Sequence, residues 1–165
     1  MRGSVIFVER NPLGLKSIDC RKGPNSCWLD HLVFRMMKYR HYGIDIGNNK
    51  VVHFYCESVL KIREARINIC SLSEFSKDGI VQIDHSIQLA FPPEEVAQRA
   101  ESFLNSDFDG YRVKHNNCEH FSMWCATGIR SGKQDLIKEA WQRCLLLPIT
   151  TKQKTAAMSF LSFFQ

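Results

Sequence analysis

No apolar run in this sequence is long enough to cross a bilayer, which takes about 20 residues. The first apolar stretch, Val5 to Val8, is bounded by Glu9 and Arg10 and is too short for the core of a signal peptide. No block of lysine and arginine and no recognisable motif points to nucleic acid. There is no CxxC or HxxxH spacing of the kind that builds a structural zinc site, and internal repeats are absent. An even complement of cysteines is lacking too. Seven are present, so at least one thiol is free or pairs between chains. These absences lead us to expect a reducing, cytoplasmic setting with at most peripheral membrane contact, no nucleic-acid partner, no metal and no cofactor.

What is present is the composition of a folded domain. Of 165 residues, 44% are hydrophobic and 24% charged, with a modest formal net charge of +5. A chain of this length can bury a core without staples. We expect one domain over residues 1–150 and an apolar tail over 151–165, where Met158, Phe160, Leu161, Phe163 and Phe164 cluster. Such a tail either docks on the body or touches a membrane.

Val5 to Val8 reads as a strand, and Asn11 to Ser26 as a loop. Trp28 to Tyr39 fits a helix as well as a strand. His41 to Ile46 and Lys50 to Tyr55 flank Gly47-Asn48-Asn49, a hairpin signal. Leu60 to Ile67 is a weaker strand, and Ile80 to Ile83 another. Ser71 or Ser73 can cap a short helix through Phe75. Pro93, Glu94 and Glu95 open a helix whose inner face carries Val96, Ala100, Phe103 and Leu104. Tyr111 to Val113 reads as extended. A further helix starts near Asn116 as cap, with Glu119 three residues on to complete a capping box, and ends at Gly128. Gln134 to Leu147 is a last helix, stopped by Pro148.

The chemistry concentrates on Cys118, His41 and His53. A cysteine in the first turn of a helix lies near unsatisfied N–H groups and the positive dipole end, which favour the thiolate and can hold an oxyanion. An imidazole base oriented by a second polar group completes a nucleophilic site. Whether the two histidines can meet depends on the hairpin. A three-residue loop, Gly47-Asn48-Asn49, sets Gly43 opposite His53 and makes His41 its diagonal neighbour on one face. A two-residue loop sets Ile44 opposite His53 and parts the rings, so catalysis requires an odd loop or a bulge. Each of these residues also has a plain reading, a small buried thiol or a hydrogen-bonded strand histidine. His120, two residues along the helix from Cys118, is a packing or supporting residue rather than a base. Cys56, Cys70, Cys125 and Cys144 read as structural, and Cys20 and Cys27 lie in or beside the loop.

Three strings carry a resemblance: His41-Tyr42-Gly43-Ile44-Asp45-Ile46-Gly47, Val51-Val52-His53-Phe54 and Asn117-Cys118-Glu119-His120-Phe121. Together they resemble the lecithin:retinol acyltransferase (LRAT) family, which includes phospholipases and is related to NlpC-type cysteine peptidases by circular permutation. The stretch from Glu94 to Ala100 resembles the family's helix before the cysteine, and the motif-bearing part runs over residues 41–134. The resemblance implies an α+β fold, a small antiparallel sheet packed against helices in a circularly permuted papain-like arrangement. It implies Cys118 as nucleophile, His41 as base and acid, and His53 as the residue that orients His41. The activity implied is an acyltransferase or phospholipase. It would move an acyl chain from a glycerophospholipid or other acyl donor to Cys118 and then to water or an acceptor. An NlpC-like amidase or peptidase, or a non-catalytic module on the same fold, is the alternative.

Overall fold

A computed structural model of the chain describes residues 2–10, 39–56, 59–77 and 79–132. The readings for Asn11 to Ser26, for Trp28 onward up to Tyr39, for Gln134 to Leu147 and for the tail lie outside these residues. The chain divides into two compact units, Met1–Glu9 with Arg40–Lys133, and Arg10–Tyr39 with Gln134–Gln165. The description below concerns the first.

Its frame is a five-stranded sheet in the order β4-β3-β2-β1-β5. The strands are β1 (Val5–Arg10), β2 (Tyr39–Gly47), β3 (Lys50–Tyr55), β4 (Arg66–Ser71) and β5 (Val81–Ile83). β2 with β3, β3 with β4 and β1 with β5 pair antiparallel. Among the described residues three α-helices accompany them: α1 (Leu72–Ser76), α2 (Pro93–Glu101) and α3 (Cys118–Thr127). The fold is α+β, as expected.

Side chains alternate across the strands, so the sheet buries both faces. Val5, Phe7, Tyr42, Ile44, Ile46, Val52, Phe54 and Ile67 join Val96, Ala97 and Ala100 of α2 and Cys118, Phe121 and Cys125 of α3 in the larger cluster. Ile6, Val8 and Val51 join Phe75 of α1 in a smaller one. Phe54 contacts Phe121 edge-on at 5.9 Å between ring centroids, which seats α3 on β3. Arg99 of α2 donates to the carbonyls of Cys125 (3.1 Å) and Trp124 (3.0 Å). A cation at the carboxyl end of α3 suits its dipole.

The hairpin settles the register question through a bulge. Asn48 and Asn49 have φ of 51° and 56°, a two-residue turn of the left-handed kind that Asn tolerates. Gly47 pairs with Lys50, yet Ile44 pairs with Val52, because the register shifts between Asp45 and Gly47. The extra residue in β2 absorbs the difference. Asp45 Oδ1 accepts the Gly47 N–H at 2.7 Å and supports the kink. Continued along the strands, this register sets Gly43 opposite His53.

Three expectations need correction, and a fourth is met only in part. Leu60 to Ile67 is not one strand: Val59–Glu64 forms a 3-10 segment, and β4 begins only at Arg66. Of Tyr111 to Val113, read as extended, Arg112 makes a single antiparallel β-bridge to Asn116 and the turn between them begins at Val113. α2 ends at Glu101, so Phe103 and Leu104 pack on the core from the turn that follows. The cap of α3 is Asn117, not Asn116, and there is no capping box with Glu119.

Candidate active site

β2 and β3 carry the two imidazoles side by side. His41 Nε2 lies 2.9 Å from His53 Nδ1, and the rings meet edge to face with centroids 5.0 Å apart. Both residues are buried, at 7% and 4% exposure. Phe75 covers the pair, 5.3 Å from the His41 ring and 5.4 Å from the His53 ring. Gly43 makes this packing possible, since a Cβ there would stand 2.7 Å from Val51 Cγ1 and 2.9 Å from Phe75 Cε2. Phe75 is held by the capping box of α1: Ser71 Oγ accepts the Glu74 N–H, and Glu74 accepts the Ser71 N–H at 2.8 Å. Those bonds to Ser71 hold the Glu74 carboxyl below the usual carboxylate range, with the nearby His53 adding to the effect.

Cys118 is the first residue of α3 and is 4% exposed. Asn117 Oδ1 accepts the N–H groups of Glu119 (2.9 Å) and His120 (3.2 Å). Asn116 works differently: its Nδ2 donates to the carbonyls of Gly110, at 2.8 Å, and Phe108. His120 Nδ1 lies 2.9 Å from Asn117 Oδ1, so the ring donates and reinforces the cap. Burial holds the imidazolium of His120 below its ordinary value, opposed by Glu119 and aided by His115. His120 is thus a supporting residue.

The structure therefore joins His41 to His53 and puts Cys118 at a helix start. Cys118 shares its core cluster with Tyr42, Ile44 and Phe54, whose side chains alternate along the strands with those of the two histidines. One contact was missed in the sequence. Cys70 Sγ stands 3.2 Å from His53 Nε2, because β4 pairs Asn68 with His53 and brings Cys70 alongside. None of Cys56, Cys70, Cys118 and Cys125 is in a disulfide. Among the described residues no group of three or more His, Cys, Asp or Glu is arranged to hold a metal ion. A cavity of about 300 Å³ is lined by Tyr55, Cys56, Lys61, Glu64, Arg66 and Asn68 among others, and neither histidine of the pair nor Cys118 is in its wall.

The family model described as "Lecithin retinol acyltransferase" matches residues 28–131. The chain belongs to the lecithin retinol acyltransferase family. It is 30% identical to the Homo sapiens lecithin retinol acyltransferase over 114 residues, covering 53% of this chain and 49% of that protein. The Bos taurus protein of that name gives the same identity and coverage. The Mus musculus protein is 27% identical over 120 residues, with 57% and 51% covered. The chain thus spans about half the length of these relatives. Among the described residues no helix is long and apolar enough to cross a membrane.

Proposed function

We propose that this LRAT-family chain is a thiol-dependent acyltransferase or lipid hydrolase, with Cys118 as nucleophile, His41 as general base and acid, and His53 as the residue that orients His41. The observation that carries the proposal is the 2.9 Å contact between His41 Nε2 and His53 Nδ1. With Nε2 committed to His53, Nδ1 is the ring nitrogen assigned to the thiol. In the first step Nδ1 takes the Cys118 proton and the thiolate adds to the carbonyl carbon of an ester. The tetrahedral oxyanion collapses to a thioester. The ester C–O bond breaks, and the leaving alkoxide takes the proton back from His41. Water or another acceptor then gives its proton to His41 and attacks the thioester, and the thiol is released. Asn117 already uses the N–H groups of Glu119 and His120. The first-turn donor assigned to the oxyanion is therefore the N–H of Cys118 itself.

The proposal makes a geometric demand: although the core neighbours of Cys118, Tyr42 and Ile44, alternate along β2 with His41, Sγ of Cys118 and Nδ1 of His41 must come within hydrogen-bond reach, about 3 Å and often longer in unliganded enzymes. A glycerophospholipid is the assigned donor class. The family supports it. The polar residues of the cavity lined by Tyr55 and Cys56, Glu64, Asn68 and Asn105 among them, favour a second reading, an amidase acting on peptide-like bonds in a small polar cleft.

The test is incubation with a diacyl phospholipid, followed by peptide mapping. Acylation of Cys118 that hydroxylamine removes supports the acyltransferase. Turnover of a peptide amide with no lipid thioester supports the amidase. Full turnover of phospholipid by Cys118→Ala would overturn both.

A further inference from the structure

The imidazole pair does not end at His53. His53 uses both ring nitrogens, Nδ1 toward His41 at 2.9 Å and Nε2 toward Cys70 Sγ at 3.2 Å. The three groups form a line across β2, β3 and β4, buried at the histidines and half-buried at Cys70. A neutral imidazole carries one proton, so the line has two arrangements. In one, the thiol donates to Nε2 of His53, whose Nδ1–H donates to His41 Nε2. His41 then holds its own proton on Nδ1 and cannot take another from a thiol while neutral. In the other, His53 Nε2–H donates to the Cys70 sulfur, and His41 Nε2–H donates to His53 Nδ1. His41 Nδ1 then carries a lone pair.

Only the second arrangement makes His41 a base at the nitrogen that the proposed reaction uses. We infer that Cys70 is a positioning residue: its sulfur accepts the Nε2 hydrogen of His53 and so selects the tautomers that leave His41 Nδ1 basic. The inference rests on the Cys118–His41 reading for its catalytic purpose, but its structural part stands on the three-residue line alone. A half-buried sulfur on a neighbouring strand is suited to this task. It accepts a ring N–H without the full charge of a carboxylate, which would hold the imidazole in its cationic form. A serine hydroxyl accepts as well, whereas an alanine cannot.

The experiment uses the whole chain with ¹⁵N-labelled histidines and long-range ¹H–¹⁵N correlation. Alongside it runs iodoacetamide labelling of Cys118, resolved by peptide mapping, in the wild type, Cys70→Ala, Cys70→Ser and His41→Ala. The wild type is expected to show His53 protonated on Nε2. Cys70→Ala is expected to lose that single tautomer and to slow Cys118 labelling about two- to tenfold, the worth of one hydrogen bond. Cys70→Ser is expected to restore both. A wild-type His53 protonated on Nδ1, or a Cys70→Ala protein with unchanged tautomer, overturns the inference. So does a tautomer change that leaves Cys118 labelling untouched when His41→Ala slows it. If His41→Ala itself leaves labelling unchanged, the catalytic reading has failed. The tautomer response to Cys70→Ala then shows separately whether the line of three groups exists.

Discussion

At the scale of single residues, the thiols differ by surroundings rather than by kind. Cys125 lies fully buried on the inner stripe of α3, and burial pushes its thiol well above the ordinary range. Burial also raises Cys56, against a smaller opposing pull from Lys77. Cys118 sits about two turns from Cys125 on the same helix, but at the end where backbone N–H groups and the dipole favour the thiolate. In the folded protein at neutral pH, a mild alkylating agent is therefore expected to modify Cys118 well before Cys125. Cys125 should react only in denaturant, and mass mapping of the two sites checks this. His120 gives a pH prediction. Its value is lowered in the fold from about 6.5, so the unfolded chain binds a proton that the folded chain refuses. That stability is fully present above pH 6.5 and is lost as pH falls below it. Urea midpoints at pH 7.5 and 5.5 should show the decline, and His120→Gln should flatten it. Asn116 and Asn117 show what a sequence withholds at this scale. Both are good caps, and only the carbonyls of Phe108 and Gly110, brought in by a turn, decide that Asn116 is occupied elsewhere.

At the scale of elements, the hairpin and the α1 cap position the imidazoles. Gly43→Ala puts a methyl group against Val51 and Phe75 and should cost about 1–3 kcal/mol as overpacking, with the histidine pair disturbed. Thermal unfolding gives the first effect and histidine chemical shifts the second. Ser71→Ala removes the cap of a five-residue helix and should cost about 1 kcal/mol. Phe75 should then cover the rings less firmly, seen as faster exchange of their N–H protons. Most of this element layer was legible. Alternation and Gly-Asn-Asn located β2 and β3, Pro-Glu-Glu opened α2, and Gly128, with φ of 77°, closed α3. The bulge could be named as a requirement but not located, because it depends on how Asp45 folds back onto Gly47. The start of β4 was misread because Lys61 and Arg63 belong to a 3-10 segment with no periodic signature. That error hid Cys70, whose place beside His53 is fixed by pairing between strands and not by spacing along the chain.

At the scale of the whole molecule, short strings far apart in the sequence identified the family, and the match over residues 28–131 supports the same assignment. Distances were not legible, because a contact between β2 and α3 depends on everything that packs the helix onto the sheet. Arg99 is one such device, holding the last carbonyls of α3 while its guanidinium stacks on Phe91 and Trp124, each 4.2 Å away. Arg99→Leu should loosen α3 and cost roughly 1–3 kcal/mol, measured by denaturant unfolding. It should slow acylation of Cys118 without abolishing it. The central claim, that Cys118 and His41 act on one proton, is tested most directly by following iodoacetamide labelling of Cys118 across pH in the wild type and in His41→Ala. The account predicts that wild-type labelling persists well below about pH 8.5, the ordinary thiol value, and that His41→Ala moves the profile up toward it. Two coincident profiles, both at the ordinary value, would contradict it.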